Sequence, residues 1–183
     1  MRKLVRFGIG WSVFLAAALS VGSSARAEEG SDPELRILVR VYNYARIPNP
    51  ALAKAEREAA RVFSKAGVEF DWLDCPLGAA EEQPVAVCQQ LPSPIEVVLR
   101  ILPSAKKGKL RLRDTVFGFA VPPVGAGHGF LASVYYDRIK DLARREDVDA
   151  ALIFGPAIAH EIGHLLMPTR QHARSGVLTG EWQ

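Results

Sequence analysis

Cysteine and histidine are scarce in this sequence, at two and four residues of 183. Two cysteines cannot build a four-cysteine zinc module, and Cys75 and Cys88 stand further apart than a metal-binding pair. No apolar run reaches the roughly 20 residues that cross a bilayer; the longest, Phe7 to Val21, is about 15, which argues against an uncleaved membrane anchor. No internal repeat and no low-complexity tract is present, so a solenoid or a disordered array is excluded.

A dominant charge is also missing once the amino-terminal segment is set aside. Arg2, Lys3 and Arg6 precede the apolar run, and Ala25-Arg26-Ala27 supplies a small-x-small cleavage site, so residues 1–27 read as a signal peptide with a mature start near Glu28. No cysteine lies beside that site to carry a lipid. The segment holds four bases and no acid; without it 19 Lys and Arg face 20 Asp and Glu, a net charge of −1. The basic stretch Lys106-Lys107-Gly108-Lys109-Leu110-Arg111-Leu112-Arg113 then reads as a solvated loop or hairpin edge, and nucleic-acid binding is not expected of a near-neutral chain. The expectation is a secreted or periplasmic protein, with no stable membrane insertion after cleavage, forming a monomer with one domain over residues 28–183. In an oxidising compartment Cys75 and Cys88 are expected to pair, closing a loop of about 14 residues.

Hydrophobic periodicity supplies the elements. Leu35, Ile37, Val39 and Val41 alternate with Arg36, Leu38, Arg40 and Tyr42, a half-buried strand. Asn49-Pro50 opens a helix carrying Leu52, Ala55, Ala59, Val62, Phe63 and Ala66, which Gly67 stops. Val68 to Leu73 and Ile95 to Leu102 read as strands, the latter apolar enough to be central. Thr115 to Val121 reads as an edge strand ahead of Pro122-Pro123, and Phe130 to Tyr135 as a fifth strand. A short helix over Asp137 to Arg145 follows. Asp149 caps a last helix with Leu152, Ile153, Ile158, Ile162, Leu165 and Leu166, which Pro156 should kink or restart and which ends before Pro168. The fold class expected is α+β: a mixed five-stranded sheet packed on a long N-terminal helix and an active-site helix.

The last helix holds His160-Glu161-Ile162-Gly163-His164. Residues four apart share a helix face, so both imidazoles can offer nitrogen to one metal ion while Glu161 reaches a water bound to it. A catalytic zinc takes three protein ligands and keeps one position open, so another donor is needed. His172 is the first candidate, Glu181 the second, and His128, in a glycine-rich loop, the third.

Strand, helix, four strands and a helix with this motif, followed by another histidine, resembles the upper subdomain of the metzincin zinc peptidases. His160 to Leu166, His172 and Ser175-Gly176-Val177-Leu178 are similar to small exported bacterial metzincin-like zinc metallopeptidases. Two positions depart from the metzincin pattern, with Met167 and Arg170 where it has glycine and histidine. Leu178 stands where metzincins place a methionine beneath the metal. The resemblance implies a Zn2+ site of His160, His164 and His172, and an extended peptide lying along the strand at Thr115 to Val121.

The expected activity is zinc-dependent hydrolysis of peptide or protein substrates, with Glu161 as general base toward the metal-bound water. Tyr135, Tyr136 and His128 are further donors to the oxyanion, though each reads more readily as structural. Two other readings remain: a non-catalytic exported zinc-binding or interaction domain derived from a zincin fold, suggested by the short tail, and a structural domain without metal.

Overall fold

The computed structural model describes residues 35–78, 85–104, 116–121, 129–167, 172, 176, 178 and 179. The signal segment with its cleavage point before Glu28, the basic stretch 106–113, His128 and Glu181 lie outside them. The described strands are β1 (Leu35–Asn43), β2 (Val68–Asp74), β3 (Glu96–Leu102), β4 (Gly118–Val121) and β5 (Leu131–Tyr135). The helices are α1 (Asn49–Ser64), α2 (Ala86–Gln89), α3 (Tyr136–Glu146) and α4 (Ala151–Leu166). The class is α+β with a mixed five-stranded sheet.

The expected long N-terminal helix is not seen among the described residues, which begin with β1; the first helix they contain, α1, is a sixteen-residue crossover between β1 and β2. That crossover lets β1 and β2 run parallel, because a helix returns the chain to the starting end of the sheet.

Strand order is β2-β1-β3-β5-β4. The pairs among β2, β1, β3 and β5 are parallel, and β4 alone runs antiparallel, with Gly118 opposite Val134 and Val121 opposite Leu131. The apolar run of β3 occupies the centre and β4 the edge, as the sequence predicts. Ile37, Val39 and Val41 of β1, Val97, Leu99 and Ile101 of β3, and Ala132 and Val134 of β5 are buried in one core with Leu52, Phe154, Ile158, Ile162 and Leu165 of α1 and α4. Each such aliphatic side chain contributes about 1.5–3 kcal/mol on burial. The two helices approach closely at Gly155, where a Cβ would lie 2.3 Å from Glu58 Cβ and 2.7 Å from the Ala55 carbonyl oxygen.

The opposite face of β1 differs from the half-buried strand expected. Arg40 is 2% exposed and ion-paired with Glu96, and its Nη1 donates to the Gln90 carbonyl at 2.7 Å. Tyr42 donates its hydroxyl proton to the Cys88 carbonyl at 2.7 Å. The Cys75–Cys88 disulfide is formed, and α2, which carries Cys88, is a short helix that periodicity does not reveal. Thus Cys88 and Gln90, tied to the end of β2 by the disulfide, meet the face where alternation places polar residues.

Helix α4 begins where Asp149 Oδ1 accepts the Ala151 N–H at 2.9 Å, satisfying one orphan donor of the first turn. It is a single helix through Pro156, which neither ends nor restarts it. The carbonyl that Pro156 leaves unpaired belongs to Leu152, which is 52% exposed and open to water rather than turned inward as its spacing suggests. Beyond that turn α4 is buried almost all round, from Ala157 through Gly163. A helix so enclosed can hold polar side chains only where they meet one another or a ligand.

Candidate metal centre

His160 and His164 sit one turn apart near the C-terminal end of α4, and their Nε2 atoms are 3.1 Å apart. Two nitrogens on a tetrahedral zinc at about 2.0–2.1 Å are separated by roughly 3.3 Å, so this spacing suits ligands of one ion. His172 joins them across the end of the helix. Its ring centroid lies 5.2 Å from that of His160 and 5.0 Å from that of His164, and one ring nitrogen from each of the three falls within 4.8 Å of the others. These three histidines are close enough to hold a metal ion. Burial falls from His160, which is buried, through His164 to the exposed His172, so the site is enclosed by the helix and open on the side of the chain after it.

The donor set is chemically selective. Three imidazoles without carboxylate or carbonyl oxygen suit borderline transition metals and not the hard cations calcium or magnesium, which require oxygen ligands. The His164 pKa is lowered, first by burial and then by the neighbouring His160 and His172. Neutral imidazole is the ligating form, so the same crowding that disfavours protonation prepares the group for a metal.

Glu161 is 7% exposed and lies against the sheet. A Cβ at Gly118 would stand 2.8 Å from Glu161 Cγ and 2.9 Å from its Oε1, besides 2.4 Å from the Ser133 carbonyl oxygen. Only glycine at that point of β4 leaves room for the carboxyl between helix and edge strand. Burial raises the Glu161 pKa from 4.5 to about 8. Gly118 carries no motif, and its role becomes visible only when α4 is laid on β4.

Leu178 is buried beneath the motif, with its Cδ2 2.9 Å from where a Cβ on Gly163 would lie. The two tyrosines proposed as donors have packing partners of their own. Strand alternation sends Tyr135 to the face opposite Val134, where it packs on Phe119 at 6.1 Å and lies under the Arg138 guanidinium at 5.8 Å. Burial raises its hydroxyl pKa. Tyr136 packs on Phe154 at 5.4 Å and lines a cavity of about 250 Å³ beside Lys54 and Asp149. Tyr136 therefore has structural surroundings, whereas Tyr135, packed as it is, lies within electrostatic reach of Glu161, whose carboxylate adds to burial in raising the tyrosine pKa; His128 and Glu181 lie outside the described residues. No protein-family model matches this chain, and no curated protein matches it in sequence.

Proposed function

We propose that this is an exported zinc-dependent peptidase whose metal is held by His160, His164 and His172 and whose general base is Glu161. The observation that carries the reading is the convergence of three imidazole nitrogens within 4.8 Å with a buried carboxyl on the adjacent helical residue. Zinc bound there would act as a Lewis acid and lower the pKa of a water from 15.7 to roughly 7.

The chain's own residues do the rest. With three protein donors one position of a tetrahedral ion stays open, which is the arrangement of catalytic and not structural zinc. Glu161, lodged beside Gly118, accepts a proton from the attacking water and returns it to the leaving amine. A carboxyl held protonated near neutral pH by burial is a poor base until a cation beside it offsets the desolvation, so metal binding and base activation are coupled. The side of β4 that no described strand pairs with, at the sheet edge near Glu161, offers backbone groups on which an extended peptide can lie as an added strand. The resemblance to metzincins is supported by the mixed sheet with one antiparallel edge strand.

Export is supported by the disulfide, which persists in oxidising compartments. Among the described residues no helix is long and apolar enough to cross a membrane. The enzyme is proposed to act as a monomer on peptide or protein substrates.

The test is zinc stoichiometry of the protein and of Glu161→Ala, alongside hydrolysis of a mixed peptide library. One equivalent of zinc in both, with cleavage only by the parent, is the expected result. Zinc without any cleavage would move the assignment to the non-catalytic metal-binding domain, and less than about a tenth of an equivalent would remove the metal altogether.

A further inference from the structure

We propose that the cavity between the first turns of α1 and α4 binds a free apolar α-amino acid, with its ammonium on Asp149, its carboxylate on Lys54 and its side chain in the apolar interior. The site goes beyond the metal centre and does not depend on it. The two lie at opposite ends of α4, roughly 20 Å apart at about 1.5 Å of rise per residue.

The cavity holds about 250 Å³, and its walls are fixed before any ligand arrives. Ile47 is buried and held by a reciprocal pair: its N–H donates to Asn43 Oδ1 at 2.9 Å, and its carbonyl accepts from Asn43 Nδ2 at 2.8 Å. Phe154 is buried against the ring of Tyr136, with centroids 5.4 Å apart, so two aromatic rings form one wall. Pro50 and Ala51 close the α1 side without a polar side chain. An apolar cavity of about 150 Å³ takes up a benzene, so this volume accommodates a branched or aromatic side chain together with an amino-acid head group.

The polar groups are few and face each other across the opening. Lys54 Nζ donates to Asp149 Oδ2 at 2.5 Å, and both side chains are about half exposed. An exposed ion pair contributes little to the fold, so it opens at small cost. Opened, it presents one cation and one anion at the mouth of an apolar space, and the ligand that satisfies both is a zwitterion with an apolar substituent. A simple anion would leave Asp149 unmatched, and a simple cation would leave Lys54 so. Asp149 is held in place, because its Oδ1 accepts the Ala151 N–H at 2.9 Å. Tyr136 stands beside it; burial raises the phenol pKa and Asp149 raises it further, which keeps the hydroxyl protonated as a donor. Lys140 is engaged with the Tyr136 ring at 5.2 Å, so the pair at the opening remains one cation and one anion.

Titration calorimetry with L-phenylalanine and L-leucine tests the site on the parent, Lys54→Gln, Asp149→Asn and Ala51→Phe. Excess chelator is present throughout, so that the head group cannot bind through a metal ion. Asparagine preserves the cap on α4, and Ala51, exposed in the first turn of α1, can become phenylalanine and fill the cavity with both charges kept. Thermal midpoints of the unliganded forms report folding. The parent should bind one equivalent with Kd of about 1 mM or tighter, ordinary for a ligand of about a dozen non-hydrogen atoms. Each charge variant should bind about tenfold more weakly, and Ala51→Phe should lose more than that. Head-group analogues assign the charges. N-acetyl-L-phenylalanine, without the ammonium, should bind the parent and Asp149→Asn alike; L-phenylalaninamide, without the carboxylate, should bind the parent and Lys54→Gln alike. The proposal is overturned by no saturation below about 10 mM, by full affinity in Ala51→Phe, or by either analogue matching the free amino acid on the parent. Should a charge variant fail to fold, the two analogues on the parent decide alone.

Discussion

Replacing Glu161 with glutamine removes a buried ionisable group without changing its shape, and the consequence can be worked out for the metal-free protein. The Glu161 carboxyl is raised from 4.5 to about 8 by burial. Below pH 4.5 the folded and unfolded chains both hold the proton, and the group costs nothing. Between 4.5 and 8 the folded chain binds a proton that the unfolded chain has released, so stability falls as pH rises. Above 8 the carboxylate is ionised in both states and the cost is constant. At about 1.4 kcal/mol per pH unit, the cost is about 3 kcal/mol at pH 7 and about 5 kcal/mol above pH 8. Glutamine bears none of it. The lowered His164 pKa works in the other direction, destabilising the folded chain as pH falls through the histidine range, but it is common to both proteins and cancels in their difference. Urea unfolding in the presence of a chelator at pH 4, 5.5, 7 and 8.5 measures this directly. Glu161→Gln should equal the parent at pH 4 and exceed it progressively toward pH 8. A difference that stays flat with pH, or a variant less stable at pH 7, would refute the desolvation argument. Loaded with zinc, the advantage should shrink, because a neighbouring cation stabilises the carboxylate that glutamine lacks.

Other perturbations separate the site from its scaffold. His172→Ala should weaken zinc by more than about a hundredfold in chelator competition, and an unchanged zinc content would transfer the third ligand to Glu181. Cys75→Ser with Cys88→Ser should lower unfolding stability by about 3 kcal/mol, the chain-entropy value for the loop closed across a separation of 13 residues, and an unchanged denaturation midpoint would contradict it. Gly155→Ala should cost about 2 kcal/mol net in the same assay. Overlap with the Ala55 backbone, which cannot step aside, outweighs the gain of about 1 kcal/mol in helix propensity, and a more stable variant would show that the helices part freely.

What could be read from the sequence, and what could not, divides along the range of the forces involved. Elements with an unbroken apolar period were legible: β1, α1, β2, β3, β5, α3 and α4 lie within a few residues of where periodicity puts them. Arg40 was misread because alternation assigns it to solvent, whereas Gln90, two residues past the disulfide, and Glu96 of the neighbouring strand β3 meet it there. Leu152 fits the helical spacing yet faces water in the first turn of α4, since spacing gives a face and not the extent of what covers it.

The same division runs through the site. His160, Glu161 and His164 are one helical turn, so their geometry is local and could be derived from spacing alone. His172 was only one of three candidates, because its approach to His160 and His164 is a tertiary contact that helical spacing does not encode. Gly118 gave no signal at all. A glycine whose function is to leave room is defined by what approaches it, and Glu161 approaches Gly118 from 43 positions further along the chain. The motif therefore places two imidazoles and a carboxyl on one helical turn, while two glycines, Gly163 within the motif and Gly118 on the edge strand, set how near Leu178 and the sheet come to that turn. Substituting either glycine should consequently leave the local pattern intact and alter the site, a separation of sequence signature from function that no count of motif residues detects.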